Sequence, residues 1–256
     1  MKIEDLQKQG LLILGEKVRI DESVIFQPED LTGLAKSIMV GNNVRIMAQA
    51  IICGGVTISE NAVVESQVIL GQPEYGYAIG VVYPGKASDT GTEIGEGVVL
   101  RAGAIIYSGV HIGSKTTIGH RTLVRTDTRI GSNSQLGHGM TIERNCRIGD
   151  WVRCTGLTHI TSSTIMEDRV FLGALVGTVN DKEMIWKQEG VVPDLIPPYF
   201  EYGCTVGTGA KIAAGVRIGR MAMVGTGSVV TKDVAPNTIV IGVPARFYKM
   251  REGGDA

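Results

Sequence analysis

IGEGVVLRAGAIIYSGVHIGSKTTIGHRTLVRTDTRIGSNSQL, residues 94–136, repeats itself every six residues. From Ile94 a step of six reaches Leu100, Ile106, Ile112, Ile118, Val124, Ile130 and Leu136. The same step runs on through Ile142, Ile148, Cys154, Ile160 and Met166 to Leu172. Twelve of these fourteen positions are Ile, Leu or Val, and the register never slips. The residue that follows is Gly at seven of the fourteen, several times its ordinary share. Four residues after each aliphatic the side chain is small, from Val98 and Ala104 to Val170 and Val176, with Met140 the one long exception.

A period of six fits no helix. It describes a short strand followed by a tight corner. The aliphatic points into a narrow triangular prism, the small residue lets the corner close, and Gly accepts the backbone angles that the corner needs. Three hexads make a coil of 18 residues, so residue i lies beneath residue i+18, and coils stack at the strand spacing of roughly 4.8 Å. The rule returns at Val40, Ile46, Ile52, Ile58, Val64 and Leu70, and again at Val206, Ile212, Ile218, Val224 and Val230, with Leu14 and Ile20 at its start.

The expected architecture is therefore all-β and a single domain over 1–256, with repeats at about 14–26, 40–70, 94–177 and 206–234 and a tail over 243–256. Three stretches break the register, 27–38, 71–92 and 178–204, and are expected as loops extruded from the prism. Seven of the 13 aromatic residues lie in the last two: Tyr75, Tyr77, Tyr83, Trp186, Tyr199, Phe200 and Tyr202. Long loops rich in aromatics on a rigid scaffold line functional sites or pack on a neighbouring subunit.

Composition narrows the partners. Formal net charge is -1, with no block of like charge, which argues against nucleic acid or an acidic membrane surface. No apolar run approaches the ~18 residues of a membrane span. The opening residues MKIEDLQKQG lack the features of a signal peptide, so a cytoplasmic protein is expected. Cys53, Cys146, Cys154 and Cys204 have no metal-ligand spacing; Cys146 and Cys154 fall on repeat positions, as buried reduced thiols would.

The repeated aliphatic-Gly-x4 pattern resembles the hexapeptide-repeat acyltransferases. The ending is more specific: residues 206–248, VGTGAKIAAGVRIGRMAMVGTGSVVTKDVAPNTIVIGVPARFY, resemble the C-terminal coils of the acetyl-CoA-using members, through "VGTGSVVTKDV" and "GVPAR". The interruption after Leu70 is similar in layout to the acyltransferases that act on UDP-N-acetylglucosamine in lipid A synthesis. Left-handedness is implied by this resemblance and not by periodicity, since parallel crossovers are normally right-handed. The resemblance also implies a homotrimer with the coenzyme in the cleft between two prisms, and acetyl-CoA as co-substrate. Its acceptor would be the amine of an amino sugar, carried on a nucleotide.

Acyl transfer from a thioester needs a base, a donor for the developing oxyanion and a slot for the pantetheine arm. His120 in "IGHRT" and His138 in "LGHGM" share one hexad position and are 18 residues apart, so they stack one coil apart. In the lipid A and bacillosamine acyltransferases the catalytic histidine holds this hexad position, which makes His120 the expected base and His138 a substrate or relay partner. The string IERNC at 142–146 resembles the bacillosamine enzymes' Ile/Val-Asp-His-Asp-Cys, with Arg144 in place of the histidine. Asn180 lies roughly where the maltose- and serine-type enzymes place theirs. The 18-residue arithmetic sets Arg125 beside Glu143, as an ion pair or as a substrate clamp; Tyr77 in the second loop joins them as an acceptor contact. For the coenzyme, Ala213, Ala214, Gly225 and Thr226 are small enough for close approach, and Lys232 and Arg246 stand where the family meets CoA phosphates. No metal is expected: a γ-class carbonic anhydrase on this fold needs three zinc-binding imidazoles, two of them in His-x4-His, a spacing absent here. Another acceptor, an acyl carrier protein as donor, and a β-helix that binds without catalysis remain open alternatives.

Overall fold

The computed structural model describes residues 2–30, 33–74, 91–184 and 194–252. These form a left-handed parallel β-helix with three flat sides, sheets of ten, twelve and ten strands. The 18-residue register is visible in the pairing: Ile94 lies against Ile112, Ile112 against Ile130, and Ile130 against Ile148. Each coil passes through the first, second and third sheet in turn, so each prism edge is a column of corners.

All three interruptions leave from the same edge, where the third sheet turns back to the first. The chain leaves after Ile25–Gln27 and returns at Ile38–Val40; it leaves after Ile69–Gln72 and returns at Thr92–Ile94; it leaves after Gly177–Thr178 and returns at Tyr199–Phe200. Pairing partners across these breaks are 26, 36 and 34 residues apart, as in Leu12 with Ile38, Val56 with Thr92, and Ile165 with Tyr199.

The repeat aliphatics form one continuous buried core, from Leu12 to Val240. Where Thr or Ser takes the small slot, its hydroxyl joins coils. Thr116, Thr122 and Thr128 donate to the carbonyls of Gly131, Gly137 and Glu143, and accept from the N–H groups of Ser134, Met140 and Cys146. A polar group inside the prism is thereby satisfied on both sides.

The Gly that follows the aliphatic has a different purpose from the one expected. It does not adopt the left-handed backbone. That conformation falls two residues later, where Lys115, Arg121, Asp127, Asn133, Trp151 and Leu157 hold φ of 54–61°. The Gly is required by proximity: a Cβ on Gly119 would lie 2.4 Å from the backbone of Gly137, and one on Gly113 2.6 Å from that of Gly131.

Three boundaries differ from the sequence reading. The third interruption ends before Tyr199, because Phe200 occupies an aliphatic slot and Cys204 the small slot after it; both are 0% exposed. An aromatic in that slot hid the hexad. The stretch expected as a tail begins with a strand: Thr238–Gly242 joins the second sheet and pairs antiparallel with Ala245–Met250. A short helix, Ile3–Lys8, puts Leu6 into the other end of the core. Each cysteine is free and buried, and burial pushes the thiols up, to about 11 for Cys53 and about 12 for Cys146 and Cys154. Among the described residues no helix is long and apolar enough to cross a membrane.

Replacing Phe200 with Ala is expected to destabilise the protein by about 3–5 kcal/mol in urea unfolding, as for a fully buried aromatic. A loss below about 1 kcal/mol would mean that the strand is not part of the cooperative core.

Candidate active site

The third edge, from which the interruptions leave, gathers most of the chemistry. Val124 pairs with Ile142, Ile142 with Ile160, Thr178 with Ile212, and Ile212 with Val230. One residue past these strands the edge carries Arg125, Glu143, Thr161, Val179 and Ala213. Two past, it carries Thr126, Arg144, Ser162, Asn180, Ala214 and Lys232.

At its centre is a charge cluster. The Arg125 guanidinium bridges the carboxylates of Glu143 and Glu74, with side-chain exposures of 14%, 19% and 10%. Arg144 approaches the same Glu74 oxygen at 3.4 Å, and His159 Nε2 lies 3.8 Å from Glu143. Glu74 is the second residue beyond the strand that precedes the long second interruption, whereas Arg125 sits two coils further along. The side chains of Glu74 and Arg125 together span that interval of roughly 10 Å. Burial works to raise the pKa of Glu74, but the bond from Arg125 and the charges of Arg125 and Arg144 outweigh it and hold the carboxyl below its ordinary value. Glu143 is likewise driven up by burial and held down more strongly by His159 and Arg125. Contact with Glu143 in turn raises the His159 imidazole, against burial.

Asn180 is half-buried where the third interruption begins. Its carbonyl accepts the N–H of Ile196 at 2.8 Å, and Asp181 bridges Leu195. One coil below, the Thr178 hydroxyl accepts the Thr161 N–H at 2.7 Å and donates to the His159 carbonyl at 3.2 Å.

His120 and His138 stand elsewhere, on the edge between the second and third sheets, and both are exposed. They are one coil apart: the Gly139 N–H donates to the His120 carbonyl at 2.8 Å. The His138 ring rests on the next coil at Gly156, where a Cβ would come within 2.4 Å of it. His120 lies near Glu65, whose carboxylate is bound by Arg101 at 2.6 Å and by the Ala102 N–H at 2.9 Å. The width of the third sheet thus separates the histidines from the charge cluster within one chain.

The coenzyme residues divide in the same way. Ala213, Ala214 and Lys232 top the third edge. Thr226 is exposed on the histidine edge, and Arg246 lies on the C-terminal hairpin against Ile241. Gly225 is buried, and a Cβ there would meet Ile241 at 2.6 Å. Its smallness leaves room for the hairpin. Tyr77 lies outside the described residues. Sequence reasoning missed Glu74, which precedes any periodic slot, and His159, which faces outward from a strand and meets Glu143 diagonally, 16 residues away.

Replacing Arg125 with Ala leaves two half-buried carboxylates with only Arg144 and His159 near them and should destabilise the protein by about 1–3 kcal/mol. The pH dependence has a definite sign. The carboxylates contribute fully above pH 4.5, and lose that contribution as pH falls through their lowered native values. His159 contributes fully below pH 6.5, and loses it as pH rises through its raised native value. In Glu143→Gln the NMR titration midpoint of His159 should fall. An unchanged midpoint would separate the two side chains.

Two stretches match known family patterns: residues 91–126 match "Bacterial transferase hexapeptide (six repeats)", and residues 201–232 match "Hexapeptide repeat of succinyl-transferase". The chain is 47% identical over 50 residues to the serine acetyltransferase of Escherichia coli K12, covering 20% of this chain and 18% of that enzyme. It is 40% identical over 57 residues to the 2,3,4,5-tetrahydropyridine-2,6-dicarboxylate N-acetyltransferase of Staphylococcus aureus, covering 22% and 24%. These matches thus span only about a fifth to a quarter of the curated relatives. The Arabidopsis UDP-N-acetylglucosamine acyltransferase structure shares the fold, with a TM-score of 0.61 at 19% identity over 92% of this chain and 75% of that one. Repeat and fold together make the chain a hexapeptide-repeat β-helix, similar over these stretches to acetyltransferases.

Proposed function

We propose that this protein moves an acetyl group from acetyl-CoA to the amine of an amino sugar carried on a nucleotide, in clefts shared between the subunits of a homotrimer. The observation that carries this reading is the division of the chemistry between two edges of one sheet. The third edge offers Arg125, Glu143 and Asn180 to an acceptor, with Tyr77 three residues beyond Glu74 in the chain, and Ala213, Ala214 and Lys232 to a coenzyme. The other edge offers His120, His138 and Thr226, with Arg246 on the hairpin. One chain holds these sets apart, whereas a cleft between two prisms can oppose the histidine edge of one to the third edge of the next. Leu157, over His138, and Leu175, one coil further on, are 56% and 50% exposed and support a packed neighbour on the histidine edge.

In the reaction the acceptor nitrogen attacks the thioester carbonyl, the C–S bond breaks as the amide C–N bond forms, and CoA leaves as its thiol. His120 takes the proton that the amine loses and passes it to the departing CoA sulfur. His138 orients the acceptor or relays that proton. The small side chains of Ala213 and Ala214 let the pantetheine arm reach the backbone, and Lys232 meets phosphate.

One observation favours a second reading, in which His159 is the base. It is half-buried on the sheet itself and held by Glu143, as a base held by an orienting carboxylate would be.

His120→Ala should lower turnover by about 10²–10⁴ with little change in coenzyme affinity. A dead His159→Ala beside a near-normal His120→Ala would transfer the role to His159. The shared cleft is tested by mixing: His120→Ala and Asn180→Ala, each inactive alone, should regain about a quarter of wild-type activity when co-assembled in equal amounts, since half the histidine edges and half the opposing edges are intact. No recovery in mixed trimers would place both residues in one subunit's site and overturn the shared cleft.

A further inference from the structure

The first sheet carries a feature that the acyl chemistry leaves unused. Its outward column runs Glu93, His111, Arg129, Arg147, with each residue in register on the one before. His111 is matched to Glu93 at 2.9 Å. Arg129 and Arg147 are not matched: two arginines stand directly opposite each other on adjacent strands, whose backbones are about 4.8 Å apart, and like charges so placed repel. Among the described residues neither makes an ion pair; Arg147 donates only to the Asp127 carbonyl, at 2.9 Å.

These arginines open into a cavity of about 410 Å³, whose far wall holds a third guanidinium, that of Arg220, stacked 4.3 Å from the ring of Tyr202. The carboxylates in its wall are turned to other work. Both oxygens of Glu167 are taken, one by the Tyr199 hydroxyl at 2.7 Å and one by the Tyr202 N–H at 2.8 Å, and Asp168 accepts the N–H of Asp150 at 2.8 Å. A neighbouring cavity of about 470 Å³ shares Arg129 and Ile148, so there is room beyond the cationic part for the rest of a larger molecule.

We infer that this cleft is a binding site for a diphosphate-bearing small molecule, held by Arg129, Arg147 and Arg220 with Tyr202 beneath the last. Guanidiniums bind phosphate oxygens in paired, charge-assisted bonds, and the three arginines of this cavity outnumber its two carboxylates, neither of which is ion-paired with them. The diphosphate could belong to a nucleotide-linked acceptor or to the coenzyme. The site does not depend on acyl transfer, and its test uses no turnover.

The probe is inorganic pyrophosphate, titrated into the whole protein by calorimetry. Arg129→Gln/Arg147→Gln should weaken binding at least about tenfold, as expected for lost charge-assisted bonds. A second in-register pair, Arg19 with Arg45 on the second sheet, removes the same charge far from the cleft, so Arg19→Gln/Arg45→Gln should stay within about twofold. Equal weakening by both doubles, or by neither, would overturn the site, as would no binding to the wild type. UDP and CoA are then added as competitors. Displacement by UDP assigns the site to a nucleotide-linked molecule, and displacement by CoA assigns it to the coenzyme. Displacement by neither would overturn the ligand class.

Discussion

Everything in this molecule depends on how closely one corner lies over the next. At Gly113, Gly119 and Gly131 the following coil leaves 2.3–2.6 Å for a Cβ, which no side chain can accept. That approach brings residues 18 apart into register, aligns the strands of three sheets, and turns a hexad pattern into a prism. Side-chain positions follow from it. An aliphatic has one place to go, and a hydroxyl in the small slot finds a carbonyl on one side and an N–H on the other. The left-handed residue two positions later points outward, where even Trp151 and Arg169 are accommodated at φ near 58°.

Much of this was legible in the sequence because the repeat is local and the core is a sum of near-identical coils. The inward residues and the pairing of Arg125 with Glu143 all follow from steps of six and eighteen. What could not be read was whatever breaks equivalence. Phe200 hid a hexad by putting an aromatic where Ile is usual. The role of the Gly was misread because sequence does not distinguish a residue chosen for its backbone angles from one chosen for lack of bulk. The hexad position of His120 was plain, but that position recurs on all three edges. Arg144, at the same place in its own hexad, lies on a different edge from His120, and only counting by eighteen from a known corner separates them.

The edges are equivalent in backbone and unlike in chemistry, and the interruptions make them so. All three leave from one edge. The second places Glu74 at that edge, where its side chain reaches Arg125 and Arg144 across the corner at Ser108. A carboxylate placed there by an excursion, with no repeat position of its own, engages residues two and three coils away. The edge thereby acquires a half-buried charge cluster that joins the excursion to the prism.

A half-buried cluster of this kind is poor evidence for stability, since a well-packed apolar replacement is often as good. It is better understood through geometry. Arg125 joins a carboxylate of the prism to a carboxylate of the excursion, so the place where the chain leaves the helix is fixed relative to coils further along. Glu143 then holds His159 on the adjoining face. Position, charge and proton affinity are passed from Glu74 through Arg125 and Glu143 to an imidazole that is half open to solvent. The third edge thus holds groups oriented by one another, while the histidines of the other edge lie a sheet's width away in the same chain.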